Sequence, residues 1–167
     1  MTQFTTETDP TEALKQSFRR HASGVAVITT VDAAGNPIGF TATSMTSLGA
    51  NPPLATFNVA RGASSWLAIS EAKFVAIHTL GKRNLELAKR MAADHTQRFL
   101  PGDWHSGDFG LPILDDATAV MIAKVRDIHY VESNAIVVVE IVSALLGADD
   151  DSLLYSKRGY HCPGQAL

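Results

Sequence analysis

The sequence predicts a predominantly β fold, a barrel with two or three peripheral helices. Three observations lead there. Short β-branched runs recur, joined by turns too short for a crossover. No strand–helix–strand rhythm of the kind that builds a parallel sheet is present. The run Ile136-Val137-Val138-Val139 is apolar on both faces, as expected of a barrel strand whose outer side is also covered.

Residues 1–8 are expected to be a disordered lead-in, and residues 9–167 a single domain. Asp9-Pro10-Thr11-Glu12 reads as a helix start: Asp9 caps, Pro10 takes the first helical position, and Glu12 is the reciprocal acid. The helix should run to about Arg20, with Leu14 and Phe18 one turn apart on its buried side. Val25–Val31 is a β-branched strand. Asp32–Pro37 is a turn, and Ile38–Ser44 returns as the hairpin partner. Pro52-Pro53 leads into a third strand, Leu54–Val59. A loop over 61–65 precedes a short helix beginning at Ser65-Trp66.

Phe74–Leu80 is the next strand. Asn84–Ala93 is a helix with Leu85, Ala88, Met91 and Ala92 at helical spacing. Residues 94–112 form a long irregular stretch containing His95, Arg98, Phe99, Trp104 and His105, and loops of that length in a compact domain are often functional. Residues 117–126 and 135–146 are long apolar strands around a bend at Glu132-Ser133-Asn134. Leu153–Tyr155 is a final strand before Tyr160 and a loose tail.

At 167 residues, 46% apolar and 19% charged, the chain has the composition of one soluble globular domain. A net charge of −3, with no basic cluster beyond isolated pairs, argues against nucleic acid as a partner. Cys162 is the only cysteine, so no intrachain disulfide can form and a cytoplasmic home is expected. No secretory leader or membrane-spanning run is legible.

The chemistry-bearing residues exclude more than they select. None of the six histidines pairs with Cys or a carboxylate at metal-ligand spacing. No Gly-x-Ser-x-Gly, phosphate-binding Gly-rich loop or dinucleotide fingerprint occurs, which disfavours hydrolysis and phosphoryl transfer. A binding protein remains, or an enzyme whose cofactor performs the chemistry. The segment that stands out is Gly39-Phe40-Thr41-Ala42-Thr43-Ser44-Met45-Thr46-Ser47-Leu48. Hydroxyls at a strand end, beside free backbone N–H groups, can hold a phosphate or the polar rim of a flat ring. On pattern alone the same residues are more simply a Thr-rich strand running into an ordinary turn.

An ordered set of pieces resembles one family. They are Ser23-Gly24-Val25, Gly39 through Ser44 with Ser47, Pro52-Pro53-Leu54, Phe74 through Leu80, Met91-Ala92, Arg98-Phe99 and Trp104. Gly107, Gly110-Leu111-Pro112-Ile113-Leu114, Tyr155 and Tyr160 complete the set. The chain resembles the flavin reductase-like proteins with an FMN-binding split β-barrel, typically the small reductase partners of two-component flavin monooxygenases.

The resemblance implies a homodimeric split barrel with FMN or FAD near the dimer interface and NADH or NADPH as hydride donor. The flavin ring, ribityl chain and phosphate would be lined by Thr41, Ala42, Thr43, Ser44 and Ser47. Asn58, Ser64 and Ser65 would lie near the phosphate, and Asn134 and Tyr160 on the nicotinamide side. Its implied activity is NAD(P)H:flavin oxidoreduction, with reduced flavin passed to a partner monooxygenase. The alternative is a flavin- or deazaflavin-binding protein without efficient NAD(P)H oxidation, a carrier or dimeric binding module. Two departures stand out. A Gly-Asp-His at the bend of many members is Glu132-Ser133-Asn134 here, with His129 a candidate substitute. An Asn in the strand after Phe74 is replaced by His78.

Overall fold

The computed structural model describes residues 4–164, and its frame is one seven-stranded antiparallel sheet. In chain order the elements are α1 (Pro10–Arg19), β1 (Ser23–Gly24), β2 (Ala26–Val31), β3 (Pro37–Ala42), β4 (Thr46–Ala50) and β5 (Pro53–Ala60). Then come α2 (Trp66–Glu71), β6 (Phe74–Thr79), α3 (Leu85–Ala92), β7 (Trp104–Ser106) and β8 (Pro112–Leu114). β9 (Ala119–Val131), β10 (Asn134–Leu146), β11 (Leu154–Ser156) and β12 (Gly159–His161) close the list. The main sheet runs β3-β2-β6-β9-β10-β5-β4. It curls until β3 comes against β5 without a ladder between them, so the barrel is split along that seam. No helix among the described residues is long and apolar enough to cross a membrane.

The split barrel has two apolar layers. Inside, Ile28, Phe57, Ile69, Val75, Ile77, Val137 and Val139 pack together. Outside, Val25, Val27, Met91, Leu111, Ile113, Leu114 and Ile122 pack under α3 and the β7–β8 ribbon. β2 and β6 are therefore buried on both faces, which explains their unbroken apolar sequence. β10 is not: Ala135, Val137 and Val139 are buried while Ile136 is exposed. The outer cover expected over residues 136–139 lies over β2 and β6 instead.

Other expectations need correction. Asp9 caps α1 through Oδ1, accepting from the Glu12 N–H at 2.8 Å, but Glu12 does not reciprocate. The Asp9 N–H goes to Glu7 Oε1 at 3.1 Å, and Glu12 pairs with Lys15. Leu14 and Phe18, expected to be buried, are 60% and 65% exposed, because α1 packs no side chain into either layer. β4 was not expected as a strand; it pairs with β5 around the cis Asn51–Pro52 turn. The long 94–112 stretch holds two 3-10 turns and β7, which pairs with β8. Residues 4–8 of the expected lead-in are exposed and irregular; residues 1–3 lie outside the described residues.

Candidate functional site

The hydroxyl-bearing segment lies on the split seam. β3 ends at Ala42, whose methyl is buried in the barrel, and the chain bends at Thr43. The next residue stitches the seam: Ser44 Oγ accepts the Asn58 backbone N–H of β5 at 2.9 Å. One side chain thus replaces a ladder bond that β3 and β5 do not make. Thr41 Oγ1 donates to the Ala88 carbonyl at 3.0 Å, anchoring α3 on β3. Thr43 is exposed and makes no side-chain hydrogen bond among the described residues.

Beside this stitch lies a cavity of about 400 Å³ walled by 40–44, 58–60, 63–65 and Arg98. Two of its groups are set up for an anion. Ser65 is 1% exposed, and its Oγ is buried with no hydrogen-bond partner. A buried hydroxyl left unpaired costs about 1–3 kcal/mol, so a native protein seldom keeps one without use. The Arg98 guanidinium is half-buried and donates only to carbonyls: Gly39 at 2.7 Å and Ala93 at 2.9 Å. Burial lowers its pKa and Asp94 opposes the shift, but no carboxylate pairs with it among the described residues. A positive charge satisfied only by dipoles retains its attraction for an anion.

On the far side of Thr43 and Ser44 a second cavity opens, a groove of about 840 Å³. Its walls are α1, residues 21–24, residues 43–46 and the β11–β12 hairpin. Thr43, Ser44 and Asn58 border both cavities, so the two adjoin at the seam.

The remaining expected site residues divide. Ser64 is exposed and lines the smaller cavity with Ser65. Ser47 lies on β4 opposite Ala55 and lines neither cavity. Asn134 opens β10 opposite Ala60, a wall residue of the smaller cavity, but its own side chain stands outside that wall. Its bend is held against the end of β5 by Arg61, which donates to the Ser133 and Glu132 carbonyls at 2.8 and 3.0 Å. The Arg61 guanidinium lies 5.1 Å from the centre of the Tyr130 ring. Tyr160 stands behind Tyr155, ring centroids 5.2 Å apart; Tyr155 faces the groove and Tyr160 does not line it. Loss of solvent, with Tyr155 beside it, raises the Tyr160 pKa.

Neither histidine departure lines either cavity. His78 Nε2 accepts the Leu114 N–H at 3.0 Å, so Nδ1 carries the proton and donates to Val27 O at 3.1 Å. It is a core tie between β6, β8 and β2. His129 is exposed beside Asp127 at 3.2 Å. The residue that reading the sequence did not pick as a site residue is Arg98. Its signals were its place in an unusually long connection and in the Arg98-Phe99 piece of the family resemblance, neither of which gave it a role.

The flavin reductase like domain model matches residues 18–163. The NADH:FMN oxidoreductase of Rhodococcus qingshengii is 36% identical over 154 residues, covering 89% of this chain and 80% of that protein. A flavin reductase domain protein from Arthrobacter sp. FB24 superposes with a TM-score of 0.90 at 44% identity, over 94% of this chain and 98% of that one. Nitrilotriacetate monooxygenase component B from Mycobacterium thermoresistibile is 28% identical with a TM-score of 0.80, over 93% and 94% of the two chains. With the family match over most of its length and a split barrel whose seam carries the hydroxyls, this chain belongs to the flavin reductase like domain family.

Proposed function

We propose that this protein is an NAD(P)H:flavin oxidoreductase that binds FMN or FAD across the β3–β5 seam. The carrying observation is Ser65, a residue with a buried, unpartnered hydroxyl, in the wall of the same cavity as the half-buried, carboxylate-free Arg98. Together they suit a flavin phosphate, with Ser64 at the rim. Ser44 and Asn58 hold the seam at fixed width, and Thr43 offers a free hydroxyl to the ribityl chain or ring edge. When bound, the flavin supplies a two-electron acceptor for hydride from the nicotinamide. The protein's task is then to bind, orient and stack, which is compatible with a seam built of hydroxyls and amides.

The same reading makes the protein a cytoplasmic homodimer that passes reduced flavin to a partner oxygenase. The kinship with a monooxygenase component supports the partner.

Ser65→Ala tests the phosphate assignment. Because Oγ has no protein partner, the ligand-free variant should be as stable as the parent or up to about 1 kcal/mol more so in urea unfolding. Its affinity for FMN should fall roughly tenfold or more, by the loss of a charge-assisted hydrogen bond. Riboflavin, which lacks the phosphate, should bind parent and variant alike. Equal loss for FMN and riboflavin, or no loss for either, rules the assignment out.

A further inference from the structure

The loop that carries Ser64 and Ser65 has little structure of its own. It runs from the end of β5 at Ala60 to the start of α2 at Trp66. Among the described residues two hydrogen bonds join its backbone, Ala63 N–H to the Ala60 carbonyl and Trp66 N–H to the Ala63 carbonyl, each 3.0 Å. A Cβ added to Gly62 in its middle would meet no atom within 4 Å, so the turn is open on that side. Its two ends are anchored separately. The Arg61 N–H donates to the Ser133 carbonyl at 2.8 Å, and the Ser65 carbonyl accepts from the Ile69 N–H at 3.1 Å.

A side chain from another strand spans those ends. Tyr130 of β9 lies across from Ala135, which in turn lies across from Val59. Residues directly opposed on antiparallel strands share a face, and Ala135 and Val59 belong to the inner layer. Tyr130 therefore stands on the inner face at the rim of the barrel, where it is 62% exposed and belongs to neither core layer. Its ring meets the residues on either side of the loop instead. The Arg61 guanidinium lies 5.1 Å from the ring centre, and the Trp66 ring stands at 82° to it with centroids 5.9 Å apart. A cation over an aromatic face and an edge-to-face ring pair are both attractive. The Tyr130 hydroxyl makes no hydrogen bond among the described residues, so the ring alone is the contact. Trp66 packs against the inner layer, and through Tyr130 the Arg61 end of the loop is referred to that same layer.

We infer that Tyr130 is a positioning residue of the phosphate site, bracing Arg61 against Trp66 so that the loop between them keeps Ser65 in the cavity wall. The inference rests on the reading of the Ser65–Arg98 cavity as the flavin phosphate site. Tyr130 lines neither cavity, so it acts through the loop and not on the ligand.

Tyr130→Ser removes the ring and Tyr130→Phe keeps it. FMN affinity should fall about fivefold in Tyr130→Ser, with riboflavin affinity within about twofold of the parent, whereas Tyr130→Phe should bind both as the parent does. In a Ser65→Ala background Tyr130→Ser should cost less than about twofold in FMN affinity, because the residue it positions has lost its hydroxyl. Undiminished FMN affinity in Tyr130→Ser overturns the inference, as does an equal loss for riboflavin. A Tyr130→Phe protein as weak as Tyr130→Ser, or the full loss persisting in the Ser65→Ala background, overturns it too. A second readout needs no flavin: amide hydrogen exchange at Ala63 and Trp66 should be faster in Tyr130→Ser and parental in Tyr130→Phe. Equal exchange in all three proteins overturns the inference. A parent that binds no flavin, or that loses no FMN affinity on Ser65→Ala, fails the phosphate reading instead, and the brace is then judged by the exchange rates alone.

Discussion

His78 has both ring nitrogens committed and no exposure, which sets its protonation. Burial lowers its pKa from 6.5 to about 4, only partly opposed by the bond to the Val27 carbonyl. Between these values the unfolded chain takes up a proton that the folded protein refuses. The stabilisation is fully present above pH 6.5 and is lost as pH falls toward 4, by about 3 kcal/mol in total. His78→Gln keeps a donor and an acceptor but cannot titrate. Its urea-unfolding free energy should fall less steeply than the parent's between pH 6.5 and 4, and parallel profiles would exclude His78 as the source. No reading of the sequence could assign this role, since Phe74–Leu80 shows only an imidazole in an apolar run. Thr43 and Ser44 were legible as site candidates because hydroxyls crowd at a strand end. The empty hydrogen-bonding capacity of Ser65 was not, because it depends on what a distant loop fails to supply.

At the level of elements, the site depends on how closely α3 and the following turn approach β3. Gly39 makes that approach possible. A Cβ there would stand 2.7 Å from Met91 Cε, 3.0 Å from Phe99 Cζ and 3.1 Å from the Ile28 carbonyl. The thioether can yield, but the aromatic ring and the β2 backbone yield less. Gly39→Ala should therefore cost about 1–3 kcal/mol in chemical denaturation. It should also weaken FMN binding, because the Gly39 carbonyl anchors Arg98. Destabilisation without any loss of FMN affinity would show that Arg98 is not placed through this contact. The hairpins and α3 were legible from β-branched runs and helical spacing. β4 was not: Thr46-Ser47-Leu48-Gly49-Ala50 lies at the sheet edge, exposed at every position, and lacks the apolar alternation that burial imposes. β7 and β8 are set by contacts with the outer core layer rather than by local propensity, so the 94–112 stretch reads as irregular.

At the scale of the whole molecule, the covering is lopsided. The β2–β6 half of the sheet is roofed by α3 and the β7–β8 ribbon, while the outer side of the β10–β5–β4 half has no cover among the described residues. Leu48, Val142 and Leu146 are 57%, 49% and 84% exposed along that half. Scattered exposed apolar residues are ordinary, but several grouped on strands without an outer cover mark an association surface. A sheet edge left as open as β4 also invites pairing or needs covering. Both features are met if a second copy packs across this half, the self-complementary arrangement most homodimers adopt. Sedimentation should then give twice the 17.9 kDa chain mass. Val142→Asp should shift the species toward the single chain, because a carboxylate buried at such a contact is unpaired, whereas on a free surface it is solvated. Far-UV circular dichroism should not change, since Val142 makes no part of either core layer. A parent that sediments at 17.9 kDa, or a variant that stays dimeric, would remove this half of the sheet as the interface.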